Sequence, residues 1–172
     1  VTSETQAYLE SHPELPEFAQ DAAALAHALK HGMSFGGELR LDSALTFDTH
    51  AGHTTLALPN QEQLFQRIAQ VFEIFSGIEY RAGESMFDRT TFVYLQEMSR
   101  PPELNGADGK DHNPHTNAIF LAGRGVNGGR TIGGSVFVPA SGSDLGVPAL
   151  TAAPFDFASQ RVTPDAQALI YP

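Results

Sequence analysis

Asp108-Gly-Lys-Asp-His-Asn-Pro-His-Thr-Asn117 runs straight into Ala118-Ile-Phe-Leu-Ala122 and then into Gly123-Arg-Gly-Val-Asn-Gly-Gly-Arg130. An Asp-His pair in a loop containing Gly and Pro is thus followed by a short apolar strand and a glycine-dense turn. Histidine and carboxylate gathered at a strand end are the raw material of a site for a hard or borderline metal ion. A second such cluster, Phe47-Asp-Thr-His-Ala-Gly-His53, comes directly after the apolar run Ala44-Leu-Thr-Phe47. Two strand ends that each offer Asp and His predict a metal at the carboxyl edge of an open α/β sheet, where such folds place their ligands.

Outward from these clusters, helix and strand signals alternate. Pro16 to His31 carries Phe18, Ala22, Leu25, Ala26 and Leu29 at helical spacing and stops at Gly32. Leu41 to Phe47 reads as a strand. Gln61 to Phe75 is the strongest helix, with Leu64, Phe65, Ile68, Val71, Phe72 and Phe75 as its apolar stripe and Gly77 as its stop. Thr90-Thr-Phe-Val-Tyr-Leu95 reads as a buried strand, Ala118 to Ala122 as another, and Thr131-Ile132 as the start of a further short one. Gly133 to Ser159 reads as a long surface loop, and Thr163-Pro-Asp165 as a helix start. The strands are apolar on both faces, which predicts an α/β fold with a mainly parallel, helix-covered sheet.

The 172 residues suffice for one domain with a real core, and 41% hydrophobic content with 12 Phe fits a folded chain. A net charge of −10, with Lys30 and Lys110 the two lysines, argues against nucleic acid or an anionic membrane as partner. The absence of cysteine removes disulfides and thiolate metal sites. No apolar run approaches the length of a membrane span. The chain begins at Val1 and stops at Tyr171-Pro172, just after what reads as a first helical turn. This predicts a piece of a longer polypeptide.

In the first cluster, Asp48 can share an ion with His50, or with His53 across Gly52. In the second, Asp111, His112 and His115 can serve two metals, or one ligand can orient another. Glu97 directly follows a strand and is placed to be a third ligand. Arg100, three residues on, can offer a fork to a tetrahedral anion. The plain alternative for each is a turn-capping Asp or a solvated His. The glycines from Gly123 to Gly134 lack the Lys-Ser/Thr of a phosphate loop and read instead as a turn. No Gly-x-Ser-x-Gly nucleophile elbow is present.

Five segments together resemble a known family. They are Phe47-Asp-Thr-His50, Gln96-Glu-Met-Ser-Arg-Pro-Pro102, Gly109-Lys-Asp-His-Asn-Pro114, Leu121-Ala-Gly-Arg-Gly125 and Gly128-Gly-Arg-Thr-Ile-Gly133. Over roughly residues 40 to 172 the chain is similar to the C-terminal part of the bacterial "domain of unknown function 1501" family. That family looks like a branch of the alkaline phosphatase and sulfatase superfamily. Met98-Ser99 and Asn113 depart from its pattern of Phe-Gly and an aromatic residue.

The resemblance implies that residues 1–172 are the C-terminal part of a single alkaline-phosphatase-like domain whose sheet is incomplete here. The remaining polypeptide of that domain, or a partner chain, would complete it. The implied function is a metal-dependent hydrolase of phosphate or sulfate esters, with its nucleophile outside this chain. In that reading Asp48, His50 and His112 bind one divalent ion, whether zinc, manganese, calcium or magnesium. Glu97 and Asp111 complete a second site, and Arg100 holds an ester oxygen. The alternative is a non-catalytic, metal-stabilised surface or assembly protein that kept the fold. Either way the resemblance implies a periplasmic or cell-surface setting.

Overall fold

The computed structural model describes residues 2–96, 99–143, 145–153, 155–156, 158–159 and 161–162. Glu97 and the helix start predicted at Thr163-Pro-Asp165 lie outside these residues. Contacts group the chain into two compact units: Val1–Phe47, Leu58–Phe92 and Gly123–Val126 form one, and Asp48–Ala57, Val93–Ala122 and Asn127–Pro172 the other.

The first unit is mostly helical. Helix α1 (Ser3–Ser11) starts at Thr2, whose hydroxyl accepts the Thr5 N–H at 3.1 Å. Helix α2 (Glu17–Lys30) matches the predicted segment and ends before Gly32, whose φ of +66° needs no side chain. Its Ala19, Ala22, Ala23 and Ala26 recur at i, i+3, i+4 and i+7 and are completely buried. This small-residue face joins Val71, Ile74, Phe75, Ile78 and Met86 in one core. Beside it, Phe92 packs with its ring centroid 4.9 Å from those of both Phe72 and Phe75.

Helix α3 (His53–Gly77) begins well before the predicted Gln61 and contains Pro59. Proline in a helix interior removes a hydrogen bond, so the sequence alone favours a start beyond it. The buried stripe is Leu64, Ile68, Val71, Ile74 and Phe75. Phe65 was predicted within that stripe, yet it is 58% exposed, one helical step off the buried face. The strand predicted at Leu41 to Phe47 is irregular chain instead. A turn closes there, with Leu45 N–H on Asp42 O at 2.8 Å and Ala44 at φ +61°. Arg67 on α3 takes up the carbonyls of Leu41 and Ser43.

Helix and strand are thus mixed, as an α/β reading requires, but the strands among the described residues form four two-stranded sheets. β1 (Glu79–Arg81) pairs antiparallel with β2 (Glu84–Ser85), which leads into the short α4 (Met86–Arg89). β3 (Thr91–Leu95) pairs with β4 (Ile119–Gly123). Arg124 N–H donates to Thr90 O, and Asn117 Nδ2 to Gln96 O, so the end of one strand lies beside the start of the other. β5 (Gly134–Val138) and β6 (Ala149–Ala153) form an antiparallel hairpin across a 3-10 turn at Ala140–Gly142. β7 (Phe155–Asp156) and β8 (Arg161–Val162) pair likewise.

A mainly parallel, helix-covered sheet is not seen among the described residues. Parallel neighbours need long crossovers, whereas here strands consecutive in the chain pair with each other. The predicted buried strand at Thr90–Leu95 is also open: Val93 is 55% and Leu95 63% exposed. The long loop predicted at Gly133–Ser159 contains the β5/β6 hairpin, whose Ala149, Thr151 and Ala153 alternate into the interior of the second unit. No helix among the described residues is long and apolar enough to cross a membrane.

Candidate metal centre

The second unit brings the two Asp-His clusters together by laying one loop along the other. Lys110 N–H donates to Thr49 O at 2.9 Å, Gly52 N–H to Ala107 O at 3.4 Å, and His53 N–H to Asp108 O at 2.6 Å. Asn105 fastens both: its amide donates to His50 O at 3.0 Å and to Asp111 Oδ1 at 3.2 Å. Its own carbonyl accepts the N–H groups of Ala107 and Gly109. Gly109 lies so close to the opposing chain that a Cβ there would sit 1.8 Å from His50 O. Asp108, at φ +54°, accepts the Thr54 hydroxyl beside the first turn of α3, where a carboxylate is favoured.

Three donor atoms converge as a result. Asp48 Oδ1 lies 3.1 Å from His50 Nε2 and 2.9 Å from His112 Nε2, and the two Nε2 atoms are 3.2 Å apart. Ligand atoms on a tetrahedral zinc ion with bonds of about 2.0–2.1 Å are spaced by roughly 3.3–3.4 Å, so this triangle is slightly compressed but of the right size. All three side chains are partly open to solvent, with 66%, 47% and 42% of Asp48, His50 and His112 exposed.

The surrounding groups set the protonation. His50 Nδ1 is 2.9 Å from Asp111 Oδ1, and His50 and Asn105 hold the Asp111 carboxyl below its ordinary range. An ionised carboxylate only accepts, so Nδ1 of His50 donates to Asp111, and the ring's Nε2 edge faces inward. Asp48 Oδ1, an acceptor, lies beside that nitrogen. Asp48 Oδ1 accepts from Arg100 Nη2 at 2.7 Å and stands within hydrogen-bond reach of His112 Nε2 at 2.9 Å.

Arg100 lies against Asp48 rather than standing apart as an anion fork. Its Nη2 donates to Asp48 Oδ1 at 2.7 Å and its Nη1 to Lys110 O at 2.9 Å. The Arg100 guanidinium, then the His112 hydrogen bond, hold the Asp48 carboxyl at about 2 against an ordinary 3.8. On acidification the unfolded chain therefore takes up this proton first. The stability that Asp48 contributes is present above about pH 3.8 and is lost as pH falls toward 2. Arg100→Met is expected to move the Asp48 titration midpoint up toward 3.8, read from its carboxyl carbon by NMR. An unmoved midpoint would show that Arg100 does not control it.

Of the predicted residues, Asp48, His50 and His112 meet, and Asp111 sits behind His50. His53 does not join them: its Nδ1 is bonded to the buried Thr49 hydroxyl at 2.6 Å. Burial, then the charges of Lys110 and Arg100, push the His53 imidazole pKa down. His115 supplies backbone bonds, its N–H to Asn113 Oδ1 and its carbonyl to Ala152 N–H. Asn105 was missed by the sequence reading, although Asn105-Gly106 is a recognisable turn pair. Asn113, the departure from the aromatic family pattern, is fully buried. Its amide donates to Leu150 O at 2.8 Å and Thr116 Oγ1 at 3.2 Å, fixing the chain next to His112.

Four of the glycines between 123 and 133 have φ from +75° to +88°, so this segment is a turn, in keeping with its lack of a phosphate-loop Lys-Ser/Thr. A family profile described as "Protein of unknown function (DUF1501)" matches residues 3–148. The match takes in α1 and α2, which the motif resemblance from residue 40 onward did not cover, and stops short of residue 172. No curated protein and no solved structure matches the chain.

Proposed function

The chain belongs to the DUF1501 family, and from its own side chains we propose that it contributes the metal-binding half of a hydrolase acting on phosphate or sulfate esters. The observation that carries this reading is the Asp48–His50–His112 triangle, with its ligand atoms within 4.8 Å of one another and an open side. Two imidazoles and a carboxylate favour zinc or manganese over calcium or magnesium, which prefer oxygen donors throughout. A divalent ion held there would supply Lewis-acid polarisation of an ester oxygen.

The chain's residues would then divide the work. Asp48, His50 and His112 hold the ion. Asp111 orients His50 and keeps its Nε2 lone pair available. Arg100 anchors Asp48 and brings a guanidinium to the edge where an ester oxygen would approach. The nucleophile belongs to polypeptide outside this chain, in the alkaline-phosphatase-like arrangement that the motif pattern implies. Val93, Leu95, Ile119 and Leu121, all 49% or more exposed on β3 and β4, are apolar side chains that such polypeptide, or a partner chain, would cover. A periplasmic or cell-surface setting goes with this family reading.

One observation favours a second reading, a metal-stabilised surface or assembly protein without catalysis. Thr49, the hydroxyl adjacent to Asp48, is 2% exposed and bonded to His53, so it cannot attack a substrate. The two readings separate in an assay of aryl phosphate and aryl sulfate hydrolysis by the natural protein containing this chain. Metal-dependent turnover that falls about 100-fold or more in His112→Ala is expected, at least the loss seen when a ligand's supporting partner is removed. A metal-loaded parent with no turnover on either ester would leave the non-catalytic reading.

A further inference from the structure

The helical unit holds a second group of ligand-type side chains, unconnected to the hydrolase reading. His27 on α2 and His31, the residue that caps the helix's C-terminus, lie four residues apart and therefore on one face. Glu4 reaches them from α1, with Oε2 2.7 Å from His31 Nε2 and Oε1 3.8 Å from His27 Nδ1. One donor atom from each of the three falls within 4.8 Å of the others.

His27 supplies an independent observation that points to a ligand. It is 2% exposed, and neither of its ring nitrogens makes a hydrogen bond among the described residues. Buried polar groups are almost always partnered, and leaving one unpartnered costs free energy. Its ring packs edge-on against Tyr8, at 5.7 Å between centroids, and no polar atom of the described residues makes a hydrogen bond to its nitrogens. It lines a pocket of about 400 Å³ together with Glu4, Tyr8, Lys30 and Ile78. Glu4 and His31 are 42% and 40% exposed, which leaves a way in from solvent.

We propose that Glu4, His27 and His31 form a second divalent-cation site of the zinc type, two imidazoles from one helix face and a carboxylate from the next helix. Three protein ligands leave a fourth position for water, as in open zinc sites. Lys30 explains how the group stays together without the ion. Its ammonium is paired with Glu4 Oε1 and places a positive charge where the cation would otherwise go. Binding would displace that ammonium and give a buried His27 nitrogen its partner. Metal and Lys30 therefore compete for Glu4.

The test uses the full chain carrying His50→Ala and His112→Ala, so that the Asp48 group is silenced. Cobalt(II) is titrated and followed by visible absorption, with zinc affinity measured by calorimetry. One ion per chain is expected. Glu4→Gln and His31→Ala, at partly exposed positions, should each weaken it by at least about 10-fold, whereas Lys30→Met should tighten it. Loss of fold would lower all affinities, so the gain in Lys30→Met separates a site from general damage. No ion in the His50/His112 background, or an affinity that is the same in all three variants, would overturn the proposal.

Discussion

Gly109→Ala is expected to cost about 3 kcal/mol of stability, the upper end for overpacking, and to abolish metal binding at Asp48, His50 and His112. The added Cβ would fall 1.8 Å from His50 O and 2.0 Å from its carbonyl carbon. These are backbone atoms, so no rotamer change can relieve the clash. The two loops would have to part, and the bonds from Lys110 to Thr49 and from Asn105 to His50 would go with them. His112 would then no longer face Asp48. Gly106→Ala is the control, because nothing lies within 4 Å of a Cβ there. Urea unfolding and cobalt titration of both variants check this. A Gly109→Ala protein as stable and as metal-competent as Gly106→Ala would show that the close approach does not hold the site together.

Phe75→Ala should destabilise the helical unit by about 3–5 kcal/mol, the usual cost of emptying a buried phenylalanine site. Phe75 is 1% exposed and packs edge-on against Phe92 within the Ala19–Ala26 core. Phe65→Ser, ten residues earlier on the same helix, should change stability by no more than about 0.5 kcal/mol. Its side chain already faces solvent. Calorimetry of the two variants checks the pair. Comparable losses would mean that the face of α3 has been assigned to the wrong residues.

That contrast also shows how far the sequence could be read. Both phenylalanines satisfy a loose apolar stripe, and only the packing partners on α2 decide which one is inside. The helical spacing of α2 and the apolar runs at Thr91–Leu95 and Ile119–Gly123 were plain, because those signals are local. Strand partners were not, since a short apolar run looks the same in a buried parallel sheet and in an open antiparallel pair. The β5/β6 hairpin was hidden by its Gly, Pro and Ser content, although Ala149-Leu-Thr-Ala-Ala153 alternates correctly.

The site was legible in its chemistry more than in its geometry. Asp48, His50, Asp111 and His112 could be named from residue type and position. The choice of His50 over His53 could not, because it depends on α3 beginning at His53 and on Thr49 capturing that imidazole. Nor could the role of Arg100, whose contact with Asp48 spans 52 residues. The His27-x-x-x-His31 spacing was available too, but Glu4 becomes its neighbour only when α1 packs on α2.

The central claim is that Asp48, His50 and His112 hold one divalent ion. It is tested most directly by the metal content of the parent, Asp48→Ala and His112→Ala proteins, measured by elemental analysis after dialysis against a limited excess of zinc. The expected result is that each variant carries one ion per chain fewer than the parent, because each lacks a direct ligand in a site with none to spare. Equal metal content in all three proteins would contradict it and leave the triangle as a hydrogen-bonded cluster of exposed side chains.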